Sequence, residues 1–237
     1  LLGPNRRPQI VSCLVGVAAM VVANWAVQGG SRAEAWGGLL GCFTALYLAV
    51  FVWEMAWFVS PDRSTERMAL TWFIVGYLGL LPCFFAQLRW LYPSDTGGHA
   101  RSTTALALAI FVPKCCDIGA YFTGRLIGKH QMTPVLSPKK TWEGAAGGLV
   151  FAALTAIGID RFGPAPVIGN CLGCEIVFGV LVGVAGMLGD LAESLLKRDC
   201  QKKDASAAIP GFGGVLDVVD AVIFAAPVVY GCLWFAK

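Results

Sequence analysis

The sequence predicts an all-α fold, a polytopic transmembrane helix bundle of about seven spans. Two observations carry that prediction. Of the 237 residues, 57% are hydrophobic and only 14% are charged, whereas a soluble domain carries about a quarter charged. The apolar residues also gather into seven runs, at 10–28, 36–59, 68–91, 103–123, 144–163, 172–190 and 218–236. Each is near the roughly 20 residues that a helix needs to cross a bilayer.

The first run follows Arg6-Arg7 but is too long for a typical signal-peptide core, so it reads as a signal anchor. With the N-terminus placed in the cytoplasm, twelve basic residues fall inside, among them Arg63, Arg67, Lys139, Lys140, Lys197 and Arg198. Five fall outside, and Lys114 lies within a span. That bias follows the positive-inside rule, and it turns the polar loops 124–143 and 191–217 toward the cytosol. Gly144 and Gly148 in the fifth run, and Gly179 and Gly183 in the sixth, are small-residue pairs that let helices approach closely. These two runs are expected inside the bundle. Residues 1–100 hold about three spans and 101–237 the remaining, chemistry-bearing region, the whole forming one integral membrane domain.

Several classes are disfavoured. A net charge of +3 is no footprint of nucleic-acid binding. Nine cysteines are an odd number set mostly in apolar runs, which points to buried thiols rather than a disulfide framework. Cys171-x-x-Cys174 has no second pair, and only His99 and His130 are available, which argues against zinc.

The chemistry is expected where charges interrupt the apolar runs. If the sixth helix continues past its apolar run, Asp190, Glu193, Ser194 and Lys197 fall at i, i+3, i+4 and i+7, on one face. A Gly-rich segment, Gly211 to Gly214, then precedes Asp217 and Asp220, three apart on the last helix. Carboxylates from two helices suit Mg²⁺, which wants octahedral oxygen ligands, and glycine-rich turns can offer backbone N–H groups to phosphates. Asp190 and Asp217 are the natural pair, with Lys197 and Arg198 for phosphate charge. A second constellation places Lys114 and Asp117 three apart inside an apolar helix. Such an intramembrane pair marks function by default, with a structural ion pair as the alternative. Ser137-Pro-Lys-Lys-Thr-Trp-Glu143 reads as a helix entrance, with a capping hydroxyl and proline at the first helical position. Glu54, alone in the second run, reads as a helix-packing partner.

At these residues the chain resembles the CDP-diacylglycerol synthases, or phosphatidate cytidylyltransferases. That family's signature runs Ser-x-x-Lys-Arg, four residues, Lys-Asp, then Pro-x-His-Gly-Gly and Asp-Arg-x-Asp. Here it stands as Ser194-Leu-Leu-Lys197-Arg198, Lys203-Asp204, Pro210-Gly211-Phe212-Gly213-Gly214 and Asp217-Val218-Val219-Asp220. Asp117-Ile-Gly-Ala-Tyr-Phe-Thr-Gly-Arg125 and Ser137 to Gly144 are similar to further family segments. Phe212 replaces the family's histidine and Val218 its arginine.

The resemblance implies a nucleotidyltransferase of phospholipid biosynthesis that joins the cytidylyl group of CTP to phosphatidate. The implied products are CDP-diacylglycerol and pyrophosphate, formed at the cytosolic face of a bacterial inner membrane. Asp190, Asp217 and Lys197 are the catalytic candidates. Asp190, Asp217, Glu193 and Asp220 are the candidates for Mg²⁺, with a monovalent companion left open. Ser194, Arg198, Lys203, Asp204, Gly213, Gly214, Ser137, Lys139, Lys140 and Asp117 are candidates for substrate contact. CTP, phosphatidate and membrane lipids are the expected partners, nucleic acid is not, and a homodimer is left open. The alternatives are a weakened or inactive relative with a lipid-binding role, motivated by Phe212 and Val218, and a transporter using Lys114, Asp117 and Glu54.

Overall fold

The computed structural model describes residues 9–28, 30–58, 63–92, 97–169, 171–199 and 214–235. The chain divides into two compact units, Leu1–Gln87 and Leu88–Lys237.

The first unit contains α1 (Ile10–Ala26), α2 (Arg32–Ala56), α3 (Ser64–Ile74) and a π-helical stretch, Val75–Leu80, that leads into α4 (Leu81–Leu88). Ser31 and Glu34 form a reciprocal cap at the start of α2. The π stretch ends two residues before Pro82. Proline has no N–H for the helical ladder, so the register must loosen around it. A Cβ on Gly16 would lie 2.8 Å from Val75, which shows how closely α1 approaches this stretch. Glu54 accepts from Arg67 at 2.6 Å and from Gln9 at 2.6 Å. It is therefore the packing partner its sequence position suggested.

The second unit is built from α5 (Gly98–Ile127), a hairpin of β1 (Gln131–Thr133) and β2 (Ser137–Thr141), α6 (Trp142–Phe162), α7 (Leu172–Asp199) and α8 (Val215–Phe235). The close approach expected from glycine spacing is present. A Cβ on Gly148 would meet the Cys116 carbonyl at 2.7 Å, and one on Gly179 would meet Ala153 at 2.6 Å. The ladder continues along α7: Gly186 abuts Pro113 of α5, and Gly189 abuts the Asp220 carbonyl of α8, each at 2.7 Å for the absent Cβ. Small residues thus bring three helices against α7 where side chains would hold them apart.

Ser137 corrects one expectation. The helix does not begin there. Ser137–Thr141 is a strand paired antiparallel with Gln131–Thr133, and Thr141 caps α6 by accepting from the Gly144 N–H at 3.1 Å. Glu143 explains the change. Its carboxylate reaches back to the N–H groups of Lys129 and His130, at 3.1 and 3.2 Å, and to the His130 ring at 2.6 Å. The first turn of α6 therefore fastens the base of the hairpin. At the far end of α6, Asp160 accepts from the Val167 and Ile168 N–H groups, and Arg161 binds buried Glu175 of α7 through both nitrogens it presents. These contacts fix the α6–α7 corner.

Among the described residues, six helices are long and apolar enough to cross a membrane, with the 17-residue α1 as a shorter apolar helix. Their exposed residues include Phe151, Leu154, Leu181 and Leu188, the reverse of a water-soluble surface. The protein is an all-α, multi-pass membrane bundle. The described cysteines are free thiols; Cys13, Cys83 and Cys116 are buried, whereas Cys171 and Cys174 are exposed.

Candidate active site

The end of the second unit formed by the α5 and α7 C-termini, the α6 and α8 N-termini and the hairpin collects the charges. On α7, Asp190, Glu193, Ser194 and Lys197 share one face, and Glu193 is fully buried. On α8, Asp217 and Asp220 lie one turn apart, with Asp220 buried. Gly189 is what permits the meeting. Without a side chain there, α8 comes near enough for one oxygen each of Asp190, Glu193 and Asp220 to lie within 4.8 Å of one another.

Three lysines neutralise parts of this cluster. Lys197 donates to Glu193 at 3.1 Å and to Asp217 at 2.9 Å. Lys140, from strand β2, lies 2.7 Å from Asp190. Lys114, from α5, lies 3.4 Å from Asp220 and 3.8 Å from Asp117. Asp217 also accepts from the Gly214 N–H, which ties the start of α8 to its own first turn. Arg198 donates to the Leu136 carbonyl at 3.4 Å, joining the end of α7 to the hairpin.

A cavity of about 210 Å³ opens beside the cluster, lined by Asp117, Tyr121, Met132, Lys139, Lys140 and Asp190, among others. It offers two ammonium groups, two carboxylates and an apolar wall. That composition suits a phosphate attached to a larger, partly apolar molecule.

The donor set also fits a divalent cation. The ligands are all carboxylate oxygens, which hard cations such as Mg²⁺ prefer. Moreover, Glu193 Oε1 is buried and has no hydrogen-bond partner among the described residues. A buried carboxylate oxygen left unsatisfied is costly unless something else meets it. A cation at the cluster, or a proton shared with the neighbouring Asp217 carboxylate, would do so.

The structure brings together Asp117, Lys140, Asp190, Glu193, Lys197, Asp217 and Asp220, and places Lys139 at the same cavity. Ser194 is half-buried on the same helix face, Gly214 is buried just before α8, and half-buried Ser137 opens strand β2. Lys203, Asp204, Gly213 and Phe212 lie outside the described residues. The sequence reading missed the Lys140–Asp190 contact, the reach of Lys114 to Asp220, and Tyr121 and Met132 as cavity walls. Only Lys114 had a local signal, its three-residue spacing from Asp117.

A cluster of acidic residues from two helices thus stands beside a lysine-lined cavity at one end of the second unit. The sequence matches the cytidylyltransferase family over residues 5–236, and the chain belongs to that family. It is 36% identical to phosphatidate cytidylyltransferase 5, chloroplastic, of Arabidopsis thaliana over 77% of this chain and 49% of that protein. It is 34% identical to the phosphatidate cytidylyltransferase of Haemophilus influenzae, over 83% of this chain and 65% of that protein. The protein of the same name in Mycobacterium bovis is 30% identical, over 90% of this chain and 67% of the relative. The chain thus spans from about half to two thirds of these relatives' lengths.

Proposed function

We propose that this chain transfers the cytidylyl group of CTP to phosphatidate, forming CDP-diacylglycerol and pyrophosphate. The reaction is assigned to the cytosolic face of a bacterial inner membrane. One observation carries the reading: Asp190, Glu193 and Asp220 converge within 4.8 Å beside a lysine-lined cavity, in a member of the cytidylyltransferase family.

An oxygen of the lipid phosphate attacks the α-phosphorus of CTP. A new P–O bond forms, the α–β phosphoanhydride bond breaks, and its electron pair leaves with pyrophosphate. Phosphatidate is already anionic at neutral pH, so no side chain need remove a proton from it. Mg²⁺ is the cation this donor set fits, with Asp190, Asp217, Glu193 and Asp220 as its holders, and when bound it would neutralise charge on the nucleotide phosphates and the departing pyrophosphate. Lys139 and Lys140 face the cavity and bind phosphate oxygens there, while Lys197 and Arg198 do the same at the end of α7. Ser137, Ser194, Lys203, Asp204, Gly213 and Gly214 complete the substrate contacts. Asp117, held by Lys114, sets the charge of the cavity wall.

The test uses the purified full chain in phospholipid nanodiscs with α-labelled CTP, phosphatidate and Mg²⁺. Label should enter the lipid phase and cease to do so on chelation. An unlabelled lipid phase, under conditions where the Haemophilus influenzae relative works, overturns the reading. The transporter alternative loses support because its three charged residues are internally paired: Glu54 with Arg67, and Lys114 with Asp117 and Asp220. The weakened-enzyme alternative rests on Phe212 and Val218. Val218 is exposed, two residues from buried Asp220 and so on the opposite side of α8, which favours retained chemistry.

A further inference from the structure

The acidic cluster leaves one sequence motif unused, Cys171-x-x-Cys174. Both thiols are free and exposed, whereas the other described cysteines are buried or half-buried. Cys171 caps α7. Its carbonyl accepts from the Glu175 N–H at 3.1 Å, and its own N–H donates to the Gly169 carbonyl at 2.8 Å. Cys174 lies in the first turn, three residues on and therefore on the same face. The Cys171 sulfur accepts from the Cys174 thiol and from the N–H groups of Cys174 and Gly173. Such N–H groups are among those a helix start leaves without intrahelical partners. The Cys174 thiol first, and the N–H groups after it, hold the Cys171 thiol below its ordinary pKa.

The surroundings keep this pair accessible and rigid. Glu175, the next residue, is bound by Arg161 at 3.0 and 2.9 Å, so its charge is met, and the ion pair marks the polar edge of the bundle. Sixteen residues separate Cys174 from Asp190, about 24 Å along the helix axis. The thiols therefore stand at the opposite end of α7 from the acidic cluster. A metal ion is the competing use of two thiols, but structural zinc wants four ligands. Among the described residues, no third His, Cys, Asp or Glu groups with this pair as a metal site.

We propose that Cys171 and Cys174 are a reversible disulfide site, in which Cys171 attacks an external disulfide and Cys174 completes the bond. The Cys171 thiolate bonds to one sulfur of the incoming disulfide, whose S–S bond breaks and whose other half leaves as a thiolate. Cys174 then gives up its proton and attacks the Cys171 sulfur, expelling the second half. The two cysteines lose two electrons, the external disulfide is reduced to two thiols, and those thiols take up the two protons. Side chains three apart on a helix have Cβ atoms about 5–6 Å apart, and a disulfide needs about 3.5–4.5 Å. Cys171, whose backbone torsions lie outside the helix, supplies the difference. The contacts that stabilise its thiolate also stabilise the reduced pair, so the bond is one that reopens. The inference is independent of the reaction at the other end of α7.

The experiment treats the purified full chain in nanodiscs with oxidised glutathione at neutral pH and then with reduced glutathione. Acid quenching, trypsin digestion and mass spectrometry follow. Cleavage after Arg161 and Lys197 releases residues 162–197, which hold both thiols and no other cysteine. The unaltered peptide should lose two hydrogens and regain them on reduction. Cys174→Ser should retain one glutathione on Cys171. Cys171→Ser, which keeps a good helix cap, should react at least about tenfold more slowly than Cys174→Ser. If Cys174→Ser does not fold, Cys174→Ala takes its place. Glutathione on both cysteines of the unaltered chain with no internal bond overturns the proposal. So do equal rates in the two single variants, a bond that reduced glutathione fails to open, and the lack of any reaction.

Discussion

Asp190 is held by Lys140 at 2.7 Å and stands beside buried Glu193 and Asp220. Its replacement by asparagine keeps the shape and removes the charge that a cation would meet. Asp190→Asn should lower the rate of CDP-diacylglycerol formation by at least about 100-fold at saturating CTP; a rate within threefold of the unaltered enzyme would refute the assignment. Val218→Arg, by contrast, alters an exposed position away from Asp220. It should change the rate by less than about threefold, and a larger gain would show that phosphate is bound on that side of α8. The α7 face from Asp190 to Lys197 was legible in the sequence because helical spacing alone dictates it. The Lys140–Asp190 and Lys114–Asp220 contacts were not, since they join residues 50 and 106 positions apart on different elements. Periodicity says which residues share a face. It does not say which faces meet.

At the level of elements, the small-residue spacing in α6 and α7 announced close packing, and the structure shows its consequence at Gly189. A methyl group there would sit 2.7 Å from the Asp220 carbonyl, a backbone atom that can yield only if α8 moves. Gly189→Ala should therefore destabilise the fold by about 1–3 kcal/mol and lower activity well beyond its loss of stability, as seen by comparing thermal unfolding with initial rates. The hairpin was the element the sequence hid. Ser-Pro followed by a carboxylate resembles a helix start, but Glu143 is occupied with the backbone N–H groups of Lys129 and His130. Glu143→Ala removes those acceptors. It should raise KM for CTP more than it lowers kcat and speed hydrogen exchange across residues 129–141, whereas unchanged exchange would show that the strand pairing alone holds the hairpin.

For the molecule as a whole, composition and run length were enough to foretell an all-α membrane bundle, because a bilayer demands apolar helices of a set length whatever they pack against. The sidedness of the bundle can be read from its thiols. Cys171 and Cys174 are exposed next to the start of α7, at the end of that helix remote from Asp190. If the reaction faces the cytosol, a membrane-impermeant maleimide, following an impermeant reductant, should label these two in intact cells expressing a chain whose other cysteines are replaced. Labelling only after lysis would place the active site outside.

The buried carboxylates have a further consequence, for what selection on this protein preserves. Like charges within 4.8 Å repel when no cation joins them, so under the proposed function the ion-free protein carries a penalty that the proposed reaction requires. Glu193→Gln, which relieves that repulsion and can still accept from Lys197, should raise Tm by about 2–4 °C for each kcal/mol recovered while the enzyme loses its rate. Screening for thermal hardiness alone would therefore favour chains that have discarded their chemistry.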